Sequence, residues 1–81
     1  MPKWRRLSGA DVLRVLAGFG FQKPLPTRQS CQVRRYLQDG SRQSLTVPLH
    51  DELDSGTVHA IYRQAVRFIP EPELRQYFHA E

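Results

Sequence analysis

Apolar residues near the start of the chain recur at intervals of three and four, which is the period of an α-helix. Ser8 and Asp11 precede them at the spacing of a capping box, and Gly20 follows at a place suited to a left-handed helix end. The pattern predicts a helix over about 9–19 that packs its apolar stripe into a core. That stripe consists of Val12, Val15, Leu16 and Phe19.

The middle of the chain changes to a period of two, which is typical of half-buried strands. Residues 31–38 and 43–49 form two predicted strands, joined by the hairpin signal Asp39-Gly40. Arg35 is a misfit on the apolar face of the first strand. Residues 21–28 contain two prolines, so they predict an edge strand or an extended arm. The residues predicted to face inward are Cys31, Val33, Leu37, Leu45, Val47 and Leu49.

Helical spacing returns in the last third of the chain. A helix of about 55–67 is predicted, capped by Asp54 or Ser55, and a short third helix follows Pro70. The order α-β-β-β-α predicts an α+β fold with both helices on one face of a three-stranded antiparallel sheet. That is also the order of double-stranded-RNA-binding domains. We expect one domain over residues 1–81, with a core of about 7–69 and a helical extension of about 70–79.

Length and composition narrow the class of protein. Eighty-one residues allow one small domain, and 40% hydrophobic residues favour a folded chain. No apolar run approaches the roughly 20 residues that cross a bilayer, and the N-terminus makes a poor signal peptide. The single cysteine, Cys31, predicts a buried core thiol, and no Cys/His cluster predicts a metal site. We therefore expect a cytoplasmic protein without a cofactor or a membrane partner.

The charge is divided unevenly along the chain. Residues 1–50 carry nine basic and two acidic side chains, whereas residues 51–81 carry three basic and six acidic ones. Ten of the twelve basic residues are arginines, whose planar fork of donors suits phosphate groups. A basic first half favours RNA or DNA binding, although a basic domain with solvated charges would have the same balance.

Several short segments together resemble one known family. In their order and spacing, they resemble the HicA (YcfA-like) family of bacterial toxins over about residues 7–78. The resemblance implies a double-stranded-RNA-binding-like fold, metal-independent cutting of mRNA, and neutralisation by a HicB antitoxin. It also implies a catalytic histidine in a Gly-Ser-His motif on the strand before the hairpin. The segments are Ser8-Gly9, Gly20-Phe21, Asp39-Gly40, Leu45–His50, Asp54–Thr57 and Arg63–Ala65.

The chain departs from the family motif at the catalytic position. Counting back from Asp39-Gly40 places Gln32 at the position of the family's catalytic histidine. Alignment on Tyr36 instead places Val33 at that position. We prefer Gln32, because the alternation puts it on the polar face with Tyr36. Glutamine is neither a general acid nor a general base. The sequence therefore predicts a toxin with weakened or absent mRNA interferase activity, or else a silent RNA-binding module or an antitoxin-binding protein.

The remaining candidate residues surround the predicted hairpin. His50 is a possible substitute acid–base group or phosphate ligand, or simply a loop residue. Tyr36 either stacks on a base or packs beside an arginine. His59 is expected on a solvated helix face, and His79 in the tail is expected to have no role. The predicted RNA-binding residues are Arg28, Arg34, Arg35, Tyr36 and Arg42.

Overall fold

The computed structural model describes residues 3–26 and 28–80. Thr27, which belongs to the predicted 21–28 segment, and residues 1, 2 and 81 of the predicted domain lie outside the described residues. Helices and strands both contribute to the core, so the predicted α+β class is confirmed. In chain order the elements are β1 (Lys3–Trp4), α1 (Gly9–Gly18), β2 (Gln22–Pro26), β3 (Ser30–Tyr36), β4 (Arg42–Pro48), α2 (Ser55–Ala65), α3 (Glu71–Phe78) and β5 (His79–Ala80).

The larger sheet has the strand order β2-β3-β4, and both of its pairings are antiparallel. β3 and β4 pair without interruption from Ser30↔Pro48 to Tyr36↔Arg42. The register of β2 shifts between Gln22 and Leu25. A proline lies within this irregularity, and its missing N–H is tolerated because β2 is at the edge of the sheet. The edge-strand alternative for this segment is therefore confirmed.

Local hydrogen bonds explain where the two longer helices begin. The Ser8 hydroxyl accepts from the N–H of Asp11, and the Asp11 carboxylate accepts from the N–H of Ser8, which is the predicted capping box. At α2 the Asp54 carboxylate accepts from the N–H of Thr57 at 2.7 Å, so Asp54 is the cap. Gly20 has φ +94°, the predicted left-handed residue after α1.

The hairpin between β3 and β4 is longer than a two-residue turn. The N–H of Leu37 donates to the carbonyl of Ser41 at 2.9 Å, which leaves three residues in the connection. Gly40 has φ +88° at the last of these positions, as in three-residue loops that end on a left-handed residue. The Asp39-Gly40 signal thus marked the turn correctly, and Gly40 alone supplies the positive φ among the described hairpin residues.

One apolar core lies between the sheet and the helices. Cys31 pairs with Val47 and Val33 with Leu45, so these four buried side chains share one face of the sheet. They belong to the same cluster as the buried residues of both α1 and α2, which therefore pack on that face. The helical contributions to this cluster include Val12, Leu16, Val58, Ile61, Tyr62 and Ala65.

Two residues predicted to point inward are exposed instead. Leu37 follows the end of β3 and Leu49 follows the end of β4. Their side chains are 39% and 41% exposed, respectively. The alternation of faces holds only while the strand stays pleated, so it does not extend past Tyr36 and Pro48.

The pairing of the two chain ends was not predicted. β1 pairs with β5 in a separate two-stranded antiparallel ribbon, with Lys3 opposite Ala80 and Trp4 opposite His79. α3, which was predicted, buries Leu74 and Phe78 and connects this ribbon to the core.

Across the described part of the chain, the helices are too short and too polar for any of them to span a membrane.

Candidate nucleic-acid interface

The side of the sheet turned away from the helices carries a row of polar side chains. Alternation along β3 and β4 makes this the outer surface, because the intervening residues are buried in the core. The row runs over four residue steps of β3, so it is about 13 Å long at roughly 3.3 Å per step. We call it the polar face; it consists of Gln32, Arg34 and Tyr36 on β3 with their cross-strand partners Thr46, Ser44 and Arg42 on β4.

Arg34 lies at the middle of the polar face. It is on the central strand, opposite Ser44 on one side and Gln22 on the other. Its Nη2 donates to Oε1 of Gln32 at 3.1 Å, and its buried Nε has no hydrogen-bond partner among the described residues. A half-buried guanidinium on an open surface of the sheet is suited to bind an anionic oxygen.

Gln32 and Val33 occupy very different places. Gln32 is half-buried on the polar face beside Arg34, whereas Val33 is buried in the core. A residue that touches a substrate has to reach solvent, so the geometry favours Gln32 over Val33 as the equivalent of a catalytic residue on this strand. The described part of the polar face holds no histidine or carboxylate, so it has no acid–base group of those two kinds.

The end of the polar face at the hairpin offers an aromatic ring beside a cation. Tyr36 is 67% exposed and lies opposite Arg42, which is also exposed. An exposed tyrosine next to an arginine can stack on a base while the arginine contacts a phosphate. At the other end of β3, Arg28 is exposed in the bend after β2. The polar face thus has one cation at its hairpin end and one at its centre, and Arg28 precedes the strand outside that face.

Arg35 differs from the other predicted RNA-binding arginines, because it points to the helical side of the sheet. Its guanidinium donates to Oε1 of Gln43 (2.9 and 2.6 Å) and to the carbonyls of Phe19 (3.1 Å) and Phe68 (2.8 Å). It also lies 4.8 Å from the centre of the Phe21 ring. The misfit in the strand pattern is therefore a bracket that joins β3 and β4 to the ends of α1 and α2, and we leave Arg35 out of the interface.

His50 lies apart from Gln32 and Arg34. It follows the end of β4, four residues beyond the Thr46 that faces Gln32, which is about 13 Å along an extended chain. Its exposed side chain lines a cleft of about 440 Å³ together with Ser8, Ala10 and Asp51. His50 thus lies beyond the end of β4 and is not among the paired positions of the polar face.

His50 has an electrostatic neighbour in the cap of α2. The pKa of Asp54 is lowered from 3.8, chiefly because the N–H of Thr57 donates to its carboxylate, with smaller contributions from the Thr57 hydroxyl, the N–H of Gly56 and the nearby His50.

The described residues contain no group of three or more His, Cys, Asp or Glu side chains placed to hold a metal ion.

Sequence reasoning missed the arrangement around the ends of the chain. His59 is exposed, as expected, and its ring also stacks on Trp4 with ring centres 4.8 Å apart, which was not expected. His79, expected to have no role, packs edge-on against Trp4 at 4.5 Å and stacks on Tyr62 at 5.1 Å. The two contacts of Trp4 join residues more than fifty positions apart in sequence, and no local pattern indicates them.

Comparison with known protein families identifies the family of this chain. A family model described as the HicA toxin of bacterial toxin–antitoxin systems matches residues 9–66. The matched segment begins at α1 and ends just after α2, so it contains the whole polar face. No curated protein and no solved structure matches the chain significantly.

Proposed function

Because the chain belongs to the HicA toxin family of bacterial toxin–antitoxin systems, we propose that it is an RNA-binding toxin that targets mRNA through its polar face. The observation that carries this proposal is the row of Gln32, Arg34, Tyr36 and Arg42 on one open surface of the sheet. The α1-β2-β3-β4-α2 order supports a double-stranded-RNA-binding-like fold. An mRNA target would place the protein in the cytoplasm.

In this proposal the arginines hold the RNA backbone and Tyr36 stacks on a base. The guanidinium groups of Arg34, which is half-buried, and Arg42, which is exposed, would bind phosphate oxygens and so release counterions from the strand. Arginine at a phosphate also stabilises the charge that develops when a 2′-hydroxyl attacks it. This part of the chemistry remains available to the chain even without a histidine.

We further propose that RNA cleavage by this chain is weak or absent, because Gln32 takes the position of the family's histidine. An amide neither accepts nor releases a proton near neutral pH, so the 2′-hydroxyl would lack a general base. His50 lies beyond the end of β4 and outside the paired positions of the polar face, so we do not assign it the role of that base. The positive charge of the polar face also suits a protein partner with acidic groups. We propose that a HicB-like antitoxin is this partner and that it covers the polar face.

The first experiment restores the missing proton acceptor. Labelled RNA is incubated with the natural chain and with Gln32→His, with and without a chelator. General acid–base participation is worth roughly 10²–10⁴-fold, so Gln32→His should cleave faster by a factor in that range, unaffected by the chelator. The matched control is Gln38→His, which places an imidazole on the exposed hairpin away from Arg34.

Three results would contradict the assignment of position 32. Equal gain in Gln38→His would mean that any surface imidazole suffices. Gain in Val33→His without gain in Gln32→His would place the catalytic position one residue later. Strong cleavage by the natural chain that disappears in His50→Ala would mean that His50 acts as the acid–base group.

The second experiment tests RNA binding on the polar face. We expect Arg34→Ala/Arg42→Ala to weaken RNA binding and to reduce the slope of log K against log salt concentration. Each phosphate contact to a single strand contributes about 0.7 to that slope, so losing two contacts should reduce it by about 1.4. Binding is measured by fluorescence anisotropy over a salt series. An unchanged slope would move the RNA site away from the polar face.

A further inference from the structure

A second basic surface lies at the chain ends, on the helical side of the molecule. The ribbon of β1 and β5 and the helix α3 enclose an open cleft of about 980 Å³, which we call the terminal cleft. Trp4 packs against side chains of α2, and α2 lies on the face of the sheet opposite the polar face. The terminal cleft is lined by Trp4, Arg5, Arg6, Pro72, Arg75 and His79, among others.

Aromatic packing and hydrogen bonds hold the ribbon side of the cleft in place. The Trp4 ring stacks on His59 at 4.8 Å and meets the edges of Tyr62 at 5.0 Å and His79 at 4.5 Å. Arg5 donates from its backbone N–H to the carbonyl of Phe78 at 2.8 Å and from Nε to the carbonyl of His79 at 3.1 Å. Trp4 is thus an anchor that fixes the direction of the two arginines following it.

Three arginines give the cleft its charge. Arg5, Arg6 and Arg75 are all exposed and line it together. One carboxylate is close to them, since Glu71 lies 3.3 Å from Arg75 and also accepts from the Tyr62 hydroxyl at 2.8 Å. Arg5 and Arg6 have no such acidic partner among the described ion pairs. A surplus of arginine donors in an open cleft is suited to bind an extended anion.

The walls of the cleft favour a nucleic acid over a protein as that anion. Protein interfaces combine arginine with exposed apolar or aromatic anchors that become buried, whereas a nucleic-acid backbone needs only cations along a groove. The large hydrophobic residues exposed in the described structure are Tyr36, Leu37, Leu49 and Tyr77, and none of them lines this cleft. The ring of Trp4 is engaged by its three aromatic neighbours.

The terminal cleft also lies outside the part of the chain that the HicA family model matches. Its lining residues all precede residue 9 or follow residue 66, whereas the polar face falls within the match. We infer that the terminal cleft is a second RNA-binding site, which holds the phosphodiester backbone of a single-stranded segment away from the polar face. This inference rests on the proposed RNA binding and adds a separate contact to it.

The chain offers a direct probe of this site, because Trp4 is its single tryptophan. An unstructured RNA is titrated into the natural chain while Trp4 emission and RNA anisotropy are recorded together. We expect a saturable change in Trp4 emission. Arg6→Ala/Arg75→Ala should diminish it and reduce the salt slope of binding by about 1.4, since each single-strand contact contributes about 0.7. Unchanged Trp4 emission of the free variant shows that the ribbon still forms.

Three further variants of the chain distinguish an RNA site in the terminal cleft from a general effect of charge. Arg14→Ala/Arg67→Ala removes the same charge from exposed positions that line neither surface, so it should bind like the natural chain. Arg6→Lys/Arg75→Lys keeps the charge but loses the planar forks, so an intermediate affinity is expected. Arg34→Ala/Arg42→Ala should bind RNA more weakly overall but retain the change in Trp4 emission.

Each contrary result has its own meaning. One contrary result is that RNA binds without changing Trp4 emission and that Arg6→Ala/Arg75→Ala binds RNA as tightly as the Arg14→Ala/Arg67→Ala control. That result would show that the terminal cleft is not an RNA site, and it would not affect the proposal for the polar face. A response at Trp4 with no effect of Arg34→Ala/Arg42→Ala supports the cleft and overturns the polar face. A glutamate-rich peptide that changes Trp4 emission at lower concentration than the RNA overturns RNA as the ligand and makes the cleft a protein-docking site.

Discussion

Replacing Arg35 by alanine should destabilise the fold without removing an RNA contact. The substitution leaves the carbonyls of Phe19 and Phe68 and the amide oxygen of Gln43 without their donor, and it removes the cation from the Phe21 ring. Hydrogen bonds to charged groups are worth about 1.5–3 kcal/mol each when buried, and a cation over a ring about 0.5–1 kcal/mol at an exposed site.

The expected loss is smaller than the sum of those values, because Arg35 is only partly buried and water can replace some of its bonds. We expect the free energy of unfolding to fall by about 2–4 kcal/mol, a large share of the 5–15 kcal/mol typical of whole domains. For a domain of this size, each kcal/mol corresponds to roughly 4–8 °C in Tm. Urea and thermal unfolding followed by circular dichroism would measure the change.

Arg34→Ala is the matched control, since it removes the same side chain from the adjacent position on the opposite face. It should change stability little and weaken RNA binding, whereas Arg35→Ala should do the reverse at a temperature where it remains folded. Arg35→Lys retains the charge but loses the fork, so its stability should lie between those of Arg35→Ala and the natural chain. The bracket role is refuted if Arg35→Ala is as stable as Arg34→Ala.

Two other substitutions test how the helices begin. Gly9→Ala should cost about 1–3 kcal/mol or more in unfolding experiments, because a Cβ would collide with the carbonyl oxygen of Pro48 and lie 3.1 Å from Cα of Leu49. Gly18→Ala, which meets nothing within 4 Å, should be neutral or stabilising, and equal losses in the two variants would contradict this reading. Asp54 has a folded-state pKa below its usual 3.8, so its ionised form stabilises the fold above that pH and the contribution is lost as the pH falls through the lowered pKa. Asp54→Asn keeps the cap acceptor without the charge, so its stability measured from pH 6 to 2 should depend less on pH than that of the natural chain.

The elements predicted best are those whose signals are local. The Ser8–Asp11 box, the Asp54 cap and the alternation through Leu45 and Val47 involve residues a few positions apart, and the structure has each of them. The hydrophobic period assigned the faces of β3 and β4 correctly, so Gln32 was placed on the open side of the sheet. The strands were predicted one or two residues too far toward the C-terminus, which made Leu37 and Leu49 appear buried.

What could not be predicted depends on contacts between distant parts of the chain. Arg35 reads as another basic residue near the hairpin, and only the folded ends of α1 and α2 make it a bracket. Trp4 and His79 lie seventy-five positions apart, and two-residue strands have no periodicity to detect. Within the candidate site, the sequence indicated which residues share the polar face, but the position of His50 beyond the end of β4 required the bounds and register of that strand.

The pairing of the chain ends has a consequence for local unfolding. The ribbon joins strands of only two residues across almost the whole chain, so closing it costs loop entropy and yields few hydrogen bonds. Such a unit can open while the three-stranded sheet stays folded, and amide hydrogen exchange at Arg5 should then be faster than at Val33 or Leu45. The terminal cleft exists only in the closed state, because β1 and β5 form one of its walls. A ligand bound across Arg6 and Arg75 would hold the ribbon closed and slow exchange at Arg5, so protection of this single amide reports on occupancy of the cleft.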